Sequence, residues 1–263
     1  MSRLKQLVEL APWGRDLAML WRNRHRGSRS FAGVFPTFDA AQTAASVDGR
    51  GAYDNQNQSK TLEDELAGID QWFDQSDYAL LHWVTQWVGA GDRVVDLGGS
   101  VGHTFYTFDR LQGLPTELTW QIQELPAAVA LGQQIARHKR ESRLRFSTDW
   151  PDQEAGKTDV LLSAGTLQYM PINIDELLRR VRPERVLLHH LPSTSGAPFW
   201  TVQLLNKSSV PYQIFSWPQV QAALSDAGYE IIDEWWQARR VDIPFKRKAF
   251  ADAYRGLAAR RNP

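Results

Sequence analysis

The sequence predicts an α/β domain built on a doubly wound, mostly parallel sheet, with an N-terminal helical extension. From residue 92 onward, short apolar runs alternate with segments whose apolar residues recur at helical spacing. Strands separated by helices form parallel sheets that are covered on both faces. The first apolar run ends in an acid and a glycine-rich turn, residues 98–102. The 263 residues suit a basic extension at residues 1–60 followed by one domain at residues 61–263.

The composition is that of an ordinary folded protein, with 43% hydrophobic and 23% charged residues. The chain has no apolar run near the roughly 18 residues of a transmembrane helix, and its N-terminus lacks the apolar stretch of a secretory signal. Because cysteine is absent, disulfides, thiolate metal sites and thiol nucleophiles are excluded. We therefore expect a cytoplasmic protein.

The formal net charge is zero, but the charge is unevenly spread. Residues 1–30 carry seven Arg and Lys against two acids, and residues 236–263 carry eight against two. A neutral chain with an acidic middle is not typical of nucleic-acid binders, so we expect no nucleic-acid partner. Solvated terminal helices are the expected explanation of the basic ends. The alternative is weak docking of the N-terminus to the anionic inner face of a membrane.

The elements follow one another in an αβ order. Apolar residues at helical spacing predict helical segments between residues 62 and 73 and between residues 80 and 88, before the sheet begins. The expected strands lie at 93–97, 118–123, 144–147, 159–163, 185–190 and 229–236. The expected helices between them lie at about 102–112, 126–138, 174–181 and 218–227.

The glycine-rich turn predicts a ligand site, because such turns bring backbone N–H groups and a helix N-terminus close to a ligand. The dinucleotide fingerprint G-x-G-x-x-G does not fit the residues that follow Gly98, and its acid would come about 20 residues later. A plain strand-to-helix turn is the other alternative. The residues fit acid-x-G-x-G-x-G better, with Asp96 as the acid and Ser100 in the middle glycine position. This pattern resembles motif I of the class I S-adenosylmethionine (SAM) methyltransferases.

The resemblance implies SAM as the cofactor and assigns roles at the later strand ends. An acid at Glu124 would accept both ribose hydroxyls, since a carboxylate offers two acceptor oxygens. Asp149 would lie near the adenine amino group, with Trp150 stacked on the ring. Without the resemblance, Glu124 is a surface acid or cap, Asp149 a turn residue, and Gln168 a packing residue. The implied cofactor-binding residues are Asp96, Gly98, Gly99, Ser100, Gly102, Glu124, Leu125, Asp149, Trp150, Ser163, Gly165 and Gln168.

A narrower resemblance rests on four short runs. They are FAGVF at residues 31–35, the glycine-rich turn, LQY at residues 167–169, and Leu191-Pro192. Together they resemble a branch of methyltransferases associated with bacterial surface-polysaccharide (O-antigen) biosynthesis. The resemblance implies O-methylation of a sugar or small-molecule hydroxyl, with residues from about 192 to 263 shaping the acceptor pocket. The pair His189-His190 departs from that branch.

Methylation of a hydroxyl needs a base, and His is the commonest one. His190 and His189 end a strand at the ligand edge of the predicted sheet, so one of them is the candidate base; a buried structural His is the alternative. Strand alternation would send the two side chains to opposite faces, which makes them a poor metal pair, and we expect no metal. Two rival functions remain at this point: a nicotinamide-dependent oxidoreductase and a non-catalytic scaffold with the SAM-binding fold.

Overall fold

A computed structural model describes residue 16 and residues 30–47, 61–151, 157–205 and 208–262. Most of the basic N-terminal segment, on which the expected membrane contact rests, lies outside these residues. None of the helices in the described part is both long enough and apolar enough to span a bilayer. The described strands are β1 (Ser30–Phe35), β2 (Arg93–Leu97), β3 (Thr119–Gln123), β4 (Leu144–Ser147), β5 (Val160–Ala164), β6 (Arg185–Thr194), β7 (Phe199–Leu204), β8 (Ser209–Ser216), β9 (Tyr229–Gln237), β10 (Val241–Asp242), β11 (Phe250–Ala251) and β12 (Ala253–Arg261). The described α-helices are α1 (Phe38–Val47), α2 (Leu62–Leu66), α3 (Tyr78–Trp87), α4 (His103–Gln112), α5 (Pro126–Lys139), α6 (Ile174–Val181) and α7 (Trp217–Asp226).

The central sheet confirms the predicted fold class. Strands β4, β3, β2, β5 and β6 lie side by side in that order and are all parallel. Antiparallel β12 then pairs with β6 on one side and with β9 on the other. Strand order reverses beside β2, and ligands of such sheets bind where it does, at the carboxyl ends of the strands.

Helices cover both faces of this sheet because its strands are apolar on both sides. Successive residues of β2 illustrate this: Val94 packs into one apolar cluster and Val95 into the other, and neither is exposed to solvent. The first cluster includes Trp120 of β3, and the second includes the buried face of α6. Strands buried on both faces are typical of parallel sheets.

A three-stranded antiparallel extension follows the far end of β6. Residues Ser193 and Thr194 of β6 pair in parallel with the end of β8, and β8 pairs with β7, which pairs with β1. Helix α1 packs against β7 and β8. Strand β1 thus joins the same sheet and α1 packs on it, whereas the sequence placed residues 30–47 in the N-terminal extension.

The basic C-terminal segment is a central strand, so the expectation of a solvated terminal helix there was wrong. Leu257, Ala258 and Ala259 of β12 are completely buried. The arginines of β12 lie toward its ends and pair with acids of neighbouring segments, as Arg260 does with Glu230. A run such as LAAR favours helix by propensity, but pairing with two strands overrides a preference of that size.

The helix predicted before the sheet is shorter than the apolar spacing suggested. Helix α2 ends at Leu66, and its N-cap Thr61 accepts a hydrogen bond from the backbone N–H of Asp64. Ile69 beyond it is buried, whereas Trp72 is 62% exposed. The chain then makes a single 3₁₀ turn at Gln75–Asp77 and enters α3.

Candidate functional site

The turn after β2 is packed so closely that two of its positions require glycine. Gly98 has φ +71°, and a Cβ there would overlap the side chain of Thr166. A Cβ on Gly99 would overlap the carboxylate of Asp96. Ser100 takes φ 54°, the left-handed region that glycine enters most easily. The backbone is therefore exposed along the turn, where a ligand can approach it.

Asp96 lies beneath this turn and is 1% exposed. The indole Nε1–H of Trp120 donates a hydrogen bond to Asp96 Oδ2 at 3.1 Å. Burial raises the pKa of Asp96 to about 7; the Trp120 hydrogen bond opposes this rise and the charge of Glu124 adds to it. The acid of the motif therefore holds a proton more readily than an exposed carboxyl, and its carboxyl group packs against the backbone of Gly99.

An open cavity of about 1650 Å³ runs along the carboxyl edge of the sheet. It brings together most of the residues that the sequence assigned to the site. Those that line it are Asp96, Gly98, Gly99, Ser100, Glu124, Leu125, Trp150, Gly165, Gln168, His189 and His190.

Three of the assigned residues do not line the cavity. Asp149 is exposed, and its backbone N–H donates to Ser147 Oγ at 2.9 Å, as in a turn. Ser163 is fully buried and donates to the carbonyl of Leu97 at 3.4 Å. Gly102 is the N-cap of α4 at φ 103°. These residues shape strands and turns beside the cavity.

The two histidines lie together, and the expectation that they point to opposite faces was wrong. In the β6–β12 ladder, Leu188 is paired with Leu257 and Leu191 with Arg255, so both histidines oppose Gly256 alone. Such a bulge re-aims side chains, and His190 accordingly has φ 57°. Their rings stack with centroids 4.0 Å apart.

Both ring nitrogens of His189 are occupied. Trp235 Nε1–H donates to His189 Nδ1 at 2.9 Å, and His189 Nε2 lies 3.1 Å from Asp77 Oδ1. An indole nitrogen only donates, so Nδ1 is unprotonated and Nε2 carries the hydrogen that Asp77 accepts. At 2% exposure, His189 is a structurally held ring, and a hydrogen on Nδ1 would displace the hydrogen bond from Trp235.

One ring nitrogen of His190 forms a hydrogen bond and the other remains available to a ligand. Its Nε2 lies 2.9 Å from Ser76 Oγ, while Ser76 Oγ donates to Asp74 Oδ1 at 2.8 Å. Since the single hydroxyl hydrogen points at Asp74, His190 Nε2–H is the donor and Ser76 Oγ the acceptor. His190 Nδ1 has no hydrogen-bond partner among the described residues. Burial, assisted by neighbouring His189, lowers the pKa of His190 to about 4.

The segment Asp74–Asp77 was not assigned to the site from the sequence, and the structure places it against the histidines. Its fold is set locally: Asp77 Oδ2 accepts the backbone N–H of Asp74, and Asp74 Oδ1 accepts that of Ser76. This reciprocal capping box was visible as acids three residues apart before α3. Nothing in the sequence indicated that the box faces the histidines, which lie 112 residues further on.

Asp77, His189 and His190 also offer three potential ligand atoms within 4.8 Å of one another. The argument that diverging side chains make a poor metal pair was therefore wrong. The hydrogen bonds nevertheless disfavour a cation at His189. A metal on Nε2 would require a hydrogen on Nδ1, directly opposite the N–H of Trp235.

No protein-family model matches the chain, and no curated protein matches it in sequence. Solved structures do match. One is the 1,6-didemethyltoxoflavin-N1-methyltransferase of Burkholderia thailandensis, solved with 1,6-didemethyltoxoflavin and S-adenosylhomocysteine, at TM-score 0.51 and 19% identity, covering 90% of this chain and 96% of that one. The chain has the Rossmann-like methyltransferase fold. A second match is the [4+2]-cyclase SpnF, at TM-score 0.50 and 16% identity, covering 89% and 99%. The fold alone therefore does not decide the reaction.

Proposed function

We propose that this protein is a SAM-dependent methyltransferase acting on a hydroxyl group. The observation that carries the proposal is the single cavity that joins the glycine turn to the free nitrogen of His190. A cofactor held at Gly98–Gly99 and an acceptor held at His190 would share this space. Bringing donor and acceptor into line is a large part of catalysis for a group transfer.

The cofactor end of the cavity suits SAM by its donors and acceptors. The side-chain oxygens of Gln123 and Gln168 are buried and have no hydrogen-bond partner among the described residues. Buried acceptors of this kind need donors, which the hydroxyl and amino groups of SAM would offer. Glu124 and Trp150 line the same end, as the resemblance implies for the ribose and the adenine.

His190 is the proposed general base. Bound SAM would supply an electrophilic methyl group, whose carbon–sulfur bond breaks to leave S-adenosylhomocysteine. As the acceptor oxygen bonds to the methyl carbon, its proton passes to His190 Nδ1. Ser76 accepts from Nε2–H, so it holds the ring in the required tautomer, and Asp74 orients that hydroxyl. His189 packs against the ring and positions it.

The finer parts of the proposal rest on the sequence resemblance. We propose a sugar or small-molecule acceptor, used in bacterial surface-polysaccharide biosynthesis by a cytoplasmic enzyme. A peripheral contact of the basic N-terminus with the membrane belongs to the same proposal. Mass spectrometry of candidate glycans incubated with the protein and SAM tests the acceptor through a gain of one methyl group.

Calorimetry with SAM, S-adenosylhomocysteine and NAD tests the cofactor. We expect the two sulfur compounds to bind and to raise the thermal midpoint, because a ligand that binds only the folded state stabilises it. Selective binding of NAD would replace the proposal with an oxidoreductase. Tight binding of S-adenosylhomocysteine with no transfer to any glycan would favour a scaffold.

The base assignment is tested by His190→Gln, with His138→Gln as control because His138 is exposed at the end of α5. We expect the turnover number of His190→Gln to fall about 100-fold with the KM for SAM unchanged. Because the pKa of His190 is lowered to about 4, protonation of His190 should reduce turnover only below about pH 5, and His190→Gln should lack that fall. Unchanged turnover in His190→Gln would overturn the assignment.

A further inference from the structure

Two arginines line the cavity near the histidines. They are Arg239 and Arg240, which follow β9. Arg240 already has partners within the protein: its Nε donates a hydrogen bond to Asp242 Oδ1 at 2.6 Å, and its guanidinium lies 4.1 Å from the ring centre of Phe250. Arg239 is exposed to the cavity and has no carboxylate within ion-pair distance among the described residues.

Among the described residues, none of the carboxylates that line the cavity is in ion-pair contact with Arg239. Asp74 lies within electrostatic range, since its pKa is lowered by the N–H and hydroxyl of Ser76 and, to a smaller extent, by Arg239. Asp74 accepts from Ser76, and Asp77 accepts from His189 and from the backbone of Asp74. The remaining two, Asp96 and Glu124, belong to the cofactor end. The positive charge of Arg239 therefore faces the cavity without a counter-charge in contact, and such a charge in a cleft raises the local concentration of anions.

The position of this charge relative to His190 is set by one aromatic ring. The Arg239 guanidinium lies 4.9 Å from the ring centre of Tyr254, and the His190 ring lies 6.2 Å from the same centre. Tyr254 itself is anchored, since its hydroxyl is 2.8 Å from that of buried Tyr212. The cation and the proposed base therefore lie beside the same ring, and one small molecule in this part of the cavity can contact both.

We infer that the acceptor carries an anionic group, a carboxylate or a phosphate, that binds Arg239 while the hydroxyl that is methylated lies at His190. The inference rests on the proposed function and names the substrate class of the same site. A guanidinium is suited to this role because its planar fork of N–H donors matches carboxylate and phosphate oxygens in pairs. Arg239 then sets specificity and orientation, whereas His190 performs the proton transfer.

The test is a titration of the protein, saturated with S-adenosylhomocysteine, with three probes: D-glucuronate, D-glucose 1-phosphate and D-glucose. We expect at least one of the anionic sugars to bind tenfold or more tightly than glucose, and the preferred one identifies the anion as carboxylate or phosphate. The Arg239→Gln variant should lose this preference, and Arg239→Lys should retain part of it.

The matched control is Arg240→Gln. It also removes one positive charge from the cavity, but a charge that Asp242 already neutralises. Its preference should stay within about twofold of the unmodified protein, and urea unfolding checks that each variant is folded. Equal binding of glucose and both anionic sugars, an unchanged preference in Arg239→Gln, or an equal loss in Arg240→Gln would each overturn the inference. Failure to bind S-adenosylhomocysteine at all would instead overturn the proposed function, and the anion titration would still be carried out on the free protein.

Discussion

The two ends of the cavity are built in different ways. The cofactor end is centred on the backbone of one short turn, because glycines at 98 and 99 leave no room for side chains against Thr166 and Asp96. The acceptor end is made of side chains from separate segments: His189 meets Asp77 across 112 positions and Trp235 across 46. A site made from contiguous backbone is encoded locally, whereas a site made from converging side chains depends on the whole fold.

The largest effect on ligand binding is expected from Gly98→Ala, which changes the cofactor end alone. The added methyl would overlap Thr166 at a backbone φ of +71°, so we expect affinity for S-adenosylhomocysteine to fall more than tenfold. Stability should fall by roughly 2 kcal/mol. Gly113→Ala is the control, since its φ is +70° but nothing lies within 4 Å of the new atom. Calorimetry should show unchanged binding for Gly113→Ala; equal losses in both variants would contradict the close-packing argument.

The largest effect on stability alone is expected from Leu257→Ala, which weakens the strand paired with the histidine bulge. Leu257 is completely buried in β12, so urea unfolding should show a loss of about 2–5 kcal/mol. Leu111→Ala serves as the comparison because Leu111 is 37% exposed at the end of α4, and it should cost less than about 1 kcal/mol. Similar small losses in the two variants would mean that the C-terminal strand is not part of the core.

A smaller effect concerns pH and Asp96. Its folded pKa of about 7 lies above the ordinary value of 3.8, so between these pH values the folded state holds a proton that the unfolded state has released. The contribution of Asp96 to the free energy of unfolding therefore falls as pH rises from about 4 to about 7. Asp96→Asn, which keeps an acceptor for Trp120, should remove this fall.

The lowered pKa of His190 acts in the opposite direction. Between pH 6.5 and about pH 4, His190 binds a proton in the unfolded state but not in the folded state. The contribution of His190 to the free energy of unfolding is therefore lost as pH falls through this range. The difference in unfolding free energy between Asp96→Asn and the unmodified protein, measured from pH 4.5 to pH 8, isolates Asp96. A difference that does not change with pH would contradict the raised pKa.

The smallest effect is expected at Ser100. Glycine adopts φ 54° without strain, which stabilises the folded state, but its greater freedom in the unfolded chain stabilises the unfolded state. Ser100→Gly should therefore raise stability by at most about 1 kcal/mol. Its affinity for S-adenosylhomocysteine should stay within a few-fold or improve, because the serine narrows the approach without blocking it. Thermal unfolding with and without the ligand measures both; a loss of stability would mean that the serine side chain makes a contact that outweighs the strain.

The parallel half of the fold and the glycine turn were predictable from the sequence. The strands at 93–97 and 144–147 and the helix at 174–181 have the bounds that apolar patterning indicates. The pattern from Asp96 to Gly102 predicted a tight turn against a ligand cavity. These features follow from rules that act over a few residues: the spacing of apolar residues in strands and helices, the residues that begin and end helices, and the conformational freedom of glycine.

Only the tertiary structure decided the acceptor end. The register of β12 against β6 leaves Gly256 opposite two residues, and this one-residue mismatch turns His190 beside His189 instead of away from it. The capping box at Asp74–Asp77 and the indole of Trp235 then select which nitrogen of each ring holds its proton. Strand register and contacts between distant segments are set by packing of the whole sheet. Residue types and their spacing along the chain therefore determined the glycine-rich turn, but not which side chains meet across the cavity.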